Sequence, residues 1–168
     1  MKQAYIYNTS LGEIIIAQDE QGLTDISLIG NEERNNMAGL RKIIGDFIIE
    51  ETELIKEAAR QFNEYLSGRL KVFNLKLNPK GTEFQKKVWN ALCAIPYGQT
   101  RSYRQIAEAI GNPKACRAVG MANHNNPIMC VIPCHRVIGS DGSLVGYGGG
   151  LQIKKYLLDL EKGNVEYE

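Results

Sequence analysis

Eight residues, "NLKLNPKG" at 74–81, cut the chain in two. Pro79 removes a backbone donor and Gly81 is conformationally free, so neither a helix nor a strand ladder runs through them. The patterns on the two sides differ. Residues 3–8, 12–19 and 22–29 read as short strands rich in β-branched side chains and bounded by Gly12, Gly22 and Gly30. Their spacing is that of an antiparallel meander. Residues 31–50 show no decisive period. In "TELIKEAARQFNEYLS", residues 52–67, Leu54, Ala58, Phe62, Tyr65 and Leu66 recur on one helical face, and Gly68 ends the run. The predicted organisation is α/β (α+β). An N-terminal lobe over 1–78 holds a three-stranded antiparallel sheet and a helix, and a mostly helical lobe spans 79–168.

The second lobe opens with "TEFQKKVWNALCAI". Thr82 and Gln85 have the spacing of a capping box, and Phe84, Val88, Trp89 and Leu92 form the apolar stripe. "PYGQT" breaks that helix. "SYRQIAEAI" follows, with Ser102 as cap and Ile106, Ala107 and Ile110 facing inward, and Gly111 closes it. Asn112 is then expected to cap a helix whose first position is Pro113. Two short helices joined by a Gly-Asn turn make a helix-turn-helix pattern. The second carries Lys114, Arg117 and Asn123, with small Ala115, Ala118 and Gly120 that permit close approach to a partner backbone. An ordinary corner between helices has the same pattern. "LQIKKYLLDLEKG" reads as a closing helix through Leu151, Lys155 and Leu158.

Charge separates the halves as well. Residues 1–78 carry 9 Lys/Arg against 12 Asp/Glu, and residues 79–155 carry 10 against 3. A basic half suits a nucleic-acid partner, although asymmetric solvated surfaces would look alike. With 43% hydrophobic and 23% charged residues the composition is globular. Apolar runs such as "IMCVI" are too short to span a bilayer, and "MKQAYIYNTS" lacks a signal-peptide core. The expectation is a soluble cytoplasmic protein.

All four cysteines and both histidines lie beyond residue 92. No disulfide framework is expected. Cys130-x3-Cys134 is the one close cysteine pair, a poor match to zinc-ligand spacing. Cys93 and Cys116 fall in helix-like apolar patterns, where cysteine is usually a small core residue. "VIPCHRVIG" at 131–139 is different. It sets Cys134 beside His135, with Arg136 next. An imidazole able to take the thiol proton, steadied by a carboxylate, yields a nucleophile. On a regular strand the two side chains would point apart, so a kink after Pro133 or a bridging water is required. The plainer alternative is a buried cysteine beside a histidine that satisfies a backbone group.

"PCHRV" at 133–137 resembles the active-site motif of the alkylguanine-DNA alkyltransferases. The stretches "GTEFQKKVWNALCAIPYGQTRSYRQIAEAIGNPKACRAVGMANHNNP" and "VGYGGGLQIKKYLLDLEKG" are similar to that family's C-terminal domain. Residues 1–78 resemble it only in layout, ribonuclease H-like, ahead of the linker "LNPKGT". The resemblance implies that Cys134 takes an alkyl group from O6 of a flipped guanine in double-stranded DNA, irreversibly and once per molecule. O4-methylthymine is a further substrate of this class. His135 would deprotonate Cys134 through a water, and Glu161 would orient the histidine. Asn126 would hold the segment before the active site, and Tyr103 would hydrogen-bond the lesion base. The carbonyls of Cys134 and Val137 would read the exocyclic amine, Tyr147 and the Gly148 amide would line the base pocket, and Arg117 would fill the gap left in the stack. Ala115, Ala118, Asn123 and Arg136 join Arg117 as expected DNA or substrate contacts.

The same resemblance implies a monomer without cofactor, membrane contact or metal site, associated with the nucleoid when bound to DNA. Some members carry serine where Gly148 stands. Others hold zinc through N-terminal cysteines and histidines, which are missing before Cys93. A sister group of lesion binders has tryptophan in place of the cysteine. Two rival readings are a helix-turn-helix lesion sensor that transfers nothing and a Cys-His-Glu hydrolase acting on acyl groups.

Overall fold

The structure, a computed structural model, describes residues 1–145 and 150–163. The chain divides into two compact units, Met1–Lys80 and Gly81–Glu168.

The first unit is built on a sheet. Strands β1 (Lys2–Thr9), β2 (Gly12–Asp19) and β3 (Gly22–Leu28) form the expected antiparallel meander. A fourth strand, β4 (Phe47–Ile49), pairs parallel to β1, giving the order β3-β2-β1-β4. Within the stretch 31–50 the chain forms helices α1 (Asn31–Arg34) and α2 (Met37–Ile44) before β4. Leu40 and Ile44 of α2 pack with Ile15, Ala17, Ala4 and Phe47 on one face of the sheet. Helix α3 (Glu53–Leu66), capped by the Thr52 side chain, also packs on the sheet. By strand alternation it takes the face of Ile14 and Ile16. Both faces of β2 are therefore covered, which is why "IIIA" is continuously apolar. Ile55 lies on the buried stripe of α3, whereas Leu54 is half-buried.

The connector predicted at 74–81 is docked rather than loose. The Leu23 amide donates to the Lys76 carbonyl at 2.9 Å, and the Asn78 amide to the Leu23 carbonyl at 2.7 Å. A side chain at Gly22 would put its Cβ 2.8 Å from the Lys76 oxygen. Asn78 and Lys80 both bond the Asp19 carboxylate.

The second unit contains α4 (Glu83–Cys93), α5 (Tyr103–Ala109), α6 (Cys116–His124) and α7 (Leu151–Glu161). Capping boxes open α4, through Thr82 and Gln85, and α5, through Ser102 and Gln105. Trp89 of α4 donates from its indole to the Ala122 carbonyl of α6 at 2.8 Å. A two-stranded parallel pair, β5 (Arg101–Ser102) with β6 (Val137–Ile138), joins the start of α5 to the segment after Cys134. Helix α6 begins at Cys116 with Ala115 as cap, not at Pro113. Residues 112–115 close a tight turn instead, with the Ala115 amide on the Asn112 carbonyl at 3.0 Å. Among the described residues no helix is long and apolar enough to cross a membrane.

Candidate active site

Cys134 does not sit on a strand. Residues Cys134–Arg136 form one turn of 3-10 helix after Pro133, whose ψ of 65° bends the chain. Adjacent side chains on such a turn are about 120° apart rather than opposed. The kink required for a Cys-His pair is thus present. Upstream, Asn126 secures the approach. Its side-chain amide donates to the Ile132 carbonyl at 2.7 Å, and its oxygen accepts from the Ile128 amide at 3.0 Å. Between them Cys130 adopts a left-handed φ of 67°, the one such non-glycine residue among those described. Its thiol is buried, and burial pushes its pKa well up.

His135 is fully buried, and its Nε2 lies 2.6 Å from Oε2 of Glu161 at the end of α7. Burial lowers the pKa of His135. Its hydrogen bond to Glu161 and that carboxylate's charge oppose the shift, while Arg136 and Lys154 add to it. The imidazole is therefore neutral at pH 7 and able to accept a proton. Glu161 is held in turn by Arg136, from Nε to Oε1 at 2.8 Å and from Nη2 to Oε2 at 3.0 Å. The amide of Gly98, whose φ of 79° suits glycine, adds a bond to Oε1 at 3.0 Å. With two guanidinium bonds, one amide and the imidazole, the carboxylate is satisfied in place.

Cys134, His135, Glu161 and Asn126 thus belong to one connected structure. Tyr103, first residue of α5, is half-buried, and its hydroxyl donates to the Val145 carbonyl at 2.7 Å. Burial raises its pKa, and Cys134 adds to the rise. Val137 is fully buried on β6. Arg117 and Ala118 are exposed on α6, and Ala115 caps it half-buried. Tyr103, Arg117, Gly120, Met121, His124 and Val145 line an open cleft of about 690 Å³ along that helix.

Two expected DNA or substrate contacts lie elsewhere. Arg136 is buried, with Nη1 on the Ile95 carbonyl at 2.7 Å, its fork on Glu161 and its cation 5.7 Å from the Tyr97 ring centroid. A guanidinium so occupied has no reach to a phosphate. Asn123 is 1% exposed, and its side-chain amide donates to the Cys134 carbonyl at 3.3 Å. Asn123 points inward because α6 turns Val119, Ala122 and Asn123 to the core. Nor are Cys93 and Cys116 core residues, the first being exposed and the second half-buried. Tyr147 and Gly148 lie outside the described residues.

A family model described as 6-O-methylguanine DNA methyltransferase, DNA binding domain, matches residues 83–163. A second, the ribonuclease-like domain of the same family, matches residues 3–79. A methylated-DNA–protein-cysteine methyltransferase of Methanosarcina acetivorans is 52% identical over 157 residues, covering 93% of this chain and 96% of that one. The chain belongs to the 6-O-methylguanine DNA methyltransferase family. Another relative, the constitutive methylated-DNA–protein-cysteine methyltransferase of Bacillus subtilis, is 44% identical over 155 residues, 92% of each chain. Among solved structures, that of the Mycobacterium tuberculosis protein in complex with DNA has a TM-score of 0.80 at 39% identity. It covers 98% of this chain and 94% of that one.

One residue of this methyltransferase-family site escaped the sequence reading. Lys154 is fully buried on α7, whereas its neighbour Lys155 is exposed. The signal was present: Lys154 stands three and four residues before Leu157 and Leu158 and seven before Glu161, so all share one face.

Proposed function

We propose that this protein repairs alkylated guanine in DNA by moving the alkyl group from O6 to Sγ of Cys134. One observation carries the reading: His135, neutral and next to the thiol on a 3-10 turn, is fixed on the buried Glu161 carboxylate. Membership in the methyltransferase family and the DNA-bound relative support it.

The thiol proton passes to His135 through a water, and Glu161 steadies the imidazolium. The thiolate attacks the alkyl carbon. A carbon–sulfur bond forms, the bond from O6 to that carbon breaks, and its electron pair returns to the base. The guanine then takes up one proton and regains its ordinary form. O6 of a stacked base is closed to this attack, so the nucleotide is flipped out. Arg117, exposed on α6, fills the gap it leaves. Tyr103 gives up its bond to Val145 and donates to the lesion base as charge develops there. The Cys134 and Val137 carbonyls read the exocyclic amine. Tyr147 and Gly148 close the pocket, and Asn126 holds the turn that presents the thiol. Four free cysteines fit a reducing compartment, so the protein works in the cytoplasm and on the nucleoid.

The rival readings are not favoured. A sensor without transfer has no use for a histidine and carboxylate behind a thiol, and the curated relatives are named as cysteine methyltransferases. Incubation with a methylated duplex followed by mass measurement separates the three. Repair adds one methyl group to the peptide containing Cys134, and Cys134→Ser takes none while keeping its duplex affinity within about threefold, since the thiol is not a phosphate contact. An unmodified parent protein that binds the lesion would overturn the reading.

A further inference from the structure

Asn123 keeps one buried atom without a partner. The residue lies on the inward face of α6 and is 1% exposed. Its side-chain amide donates to the Cys134 carbonyl at 3.3 Å. Its oxygen, Oδ1, is buried and has no hydrogen-bond partner among the described residues. A buried acceptor without a donor costs stability, and leucine would fill much the same volume without that cost. What the asparagine gives in return lies in the reaction rather than in the fold.

Place and chemistry together say which donor suits it. Both polar atoms of the amide are bound to one carbon, so Oδ1 stands beside the Cys134 carbonyl. That carbonyl already accepts twice, from the Asn123 amide and from the Val137 amide that closes the 3-10 turn. A carbonyl oxygen has two lone pairs. The Val137 carbonyl accepts from Lys154 at 2.5 Å, which leaves it one. The exocyclic amine of guanine brings two hydrogens, so the two main-chain carbonyls fall one acceptor short. On O6-alkylguanine the ring nitrogens and O6 are acceptors, and the amine is the only donor of the base. No other group of the lesion can meet an acceptor at this place.

Asn123 is closed off in the free protein, and Tyr103 stands where a base would reach it. A Cβ at Gly120, one turn before Asn123 on α6, would lie 4.0 Å from the Tyr103 ring. Burial raises the Tyr103 pKa, and a hydrogen bond from Asn123 opposes that rise. Tyr103 and Gly120 both line the cleft. The release of Tyr103 from Val145 during transfer thus takes place over Asn123 and opens it to a base entering from the cleft.

We propose that Asn123 is a specificity-determining residue: its Oδ1 accepts one hydrogen of the exocyclic amine of the flipped guanine, supplying the acceptor that the Cys134 and Val137 carbonyls lack. The inference rests on the transfer reaction proposed above and narrows its substrate. A lesion base without the amine leaves Oδ1 unpaired and gains nothing from it.

The test uses two duplexes that differ by one amino group, with O6-methylguanine or O6-methylhypoxanthine at the same position. Single-turnover rate constants are compared in the parent and in Asn123→Leu. The preference for the guanine lesion should narrow about tenfold in the variant, the loss expected for one hydrogen bond to a buried acceptor. The hypoxanthine rate should change less than about twofold. Asn123→Met, a flexible side chain of similar size, carries the same comparison if the leucine variant does not fold. Equal slowing on both duplexes would assign Asn123 to the fold, and an unchanged preference would leave the amine to the main-chain carbonyls. Either result overturns the proposal. Affinities for the same duplexes, measured in Cys134→Ser with and without Asn123→Leu, should show the same narrowing. That comparison needs no alkyl transfer, so a parent protein that methylates nothing would refute the proposed function while this inference is still decided.

Discussion

Arg136 grips Glu161 with two near-parallel hydrogen bonds, at 2.8 and 3.0 Å, and the side chains are only 8% and 1% exposed. A fork-to-carboxylate pair of this kind fixes the plane of the acid as well as its position. The plane matters because Oε2 must also meet the His135 ring at 2.6 Å. The arginine of the motif is thus tied to His135 through the acid.

Glu161→Gln should therefore cost both stability and rate. It leaves the Arg136 guanidinium inside without its countercharge, an uncompensated charge worth about 3 kcal/mol of stability. It also removes the partner that orients His135, which should slow transfer on the order of 100-fold. Urea unfolding and single-turnover kinetics on a methylated duplex check the two effects. Parent-like values in both would show that the carboxylate is a bystander.

Much of this arrangement was legible in the sequence, and the parts that were not share a cause. Glycine-bounded β-branched runs gave the meander, and the spacing of Thr82 from Gln85 gave the start of α4, because those signals are local. Strand β4 is three residues long and gains its stability from parallel pairing with β1, more than forty residues away, so no local period marks it. The turn at 112–115 competes with the proline-first helix start and wins, which shortens α6. Adjacency of Cys134 and His135 left a nucleophile and a buried structural pair both open, and the wider resemblance of "PCHRV" and its flanks decided between them. It could not show that Arg136 turns inward to Ile95 and Glu161, since a long side chain's destination depends on which carboxylate the fold delivers. Asn123 and Lys154 are polar residues on apolar helix faces, and only the tertiary structure supplies the carbonyls that make their burial tolerable.

The neutral state of His135 has a consequence for stability against pH. Its folded pKa lies below the unfolded value of about 6.5, chiefly through burial. As pH falls below 6.5 the unfolded chain binds a proton that the folded chain does not. The His135 contribution is therefore complete above about pH 6.5 and is lost progressively as pH falls toward the folded pKa. Unfolding free energies measured between about pH 5 and 8 should show this slope in the parent and a shallower one in His135→Gln. Equal slopes would mean that burial leaves the His135 pKa where it stands in the unfolded chain.

Arg117 is exposed on α6 and bordered by the cleft. Arg117→Ala should slow repair of a methylated duplex by at least tenfold while changing reaction with the free alkylated base by less than about twofold, because only the duplex has to be opened. Comparison of the two rate constants checks this. Equal slowing would assign Arg117 to the fold or the chemistry instead.

Displacement at an alkyl carbon by a thiolate ends in a thioether, which offers water no electrophilic carbonyl to attack. Transfer to Cys134 should therefore stop after one event. Limiting protein titrated against excess methylated duplex tests this most directly. The expected result is one guanine restored per protein molecule, with one methyl group on the peptide containing Cys134. Restoration of several guanines per molecule, or a methyl group on any other residue, would contradict it.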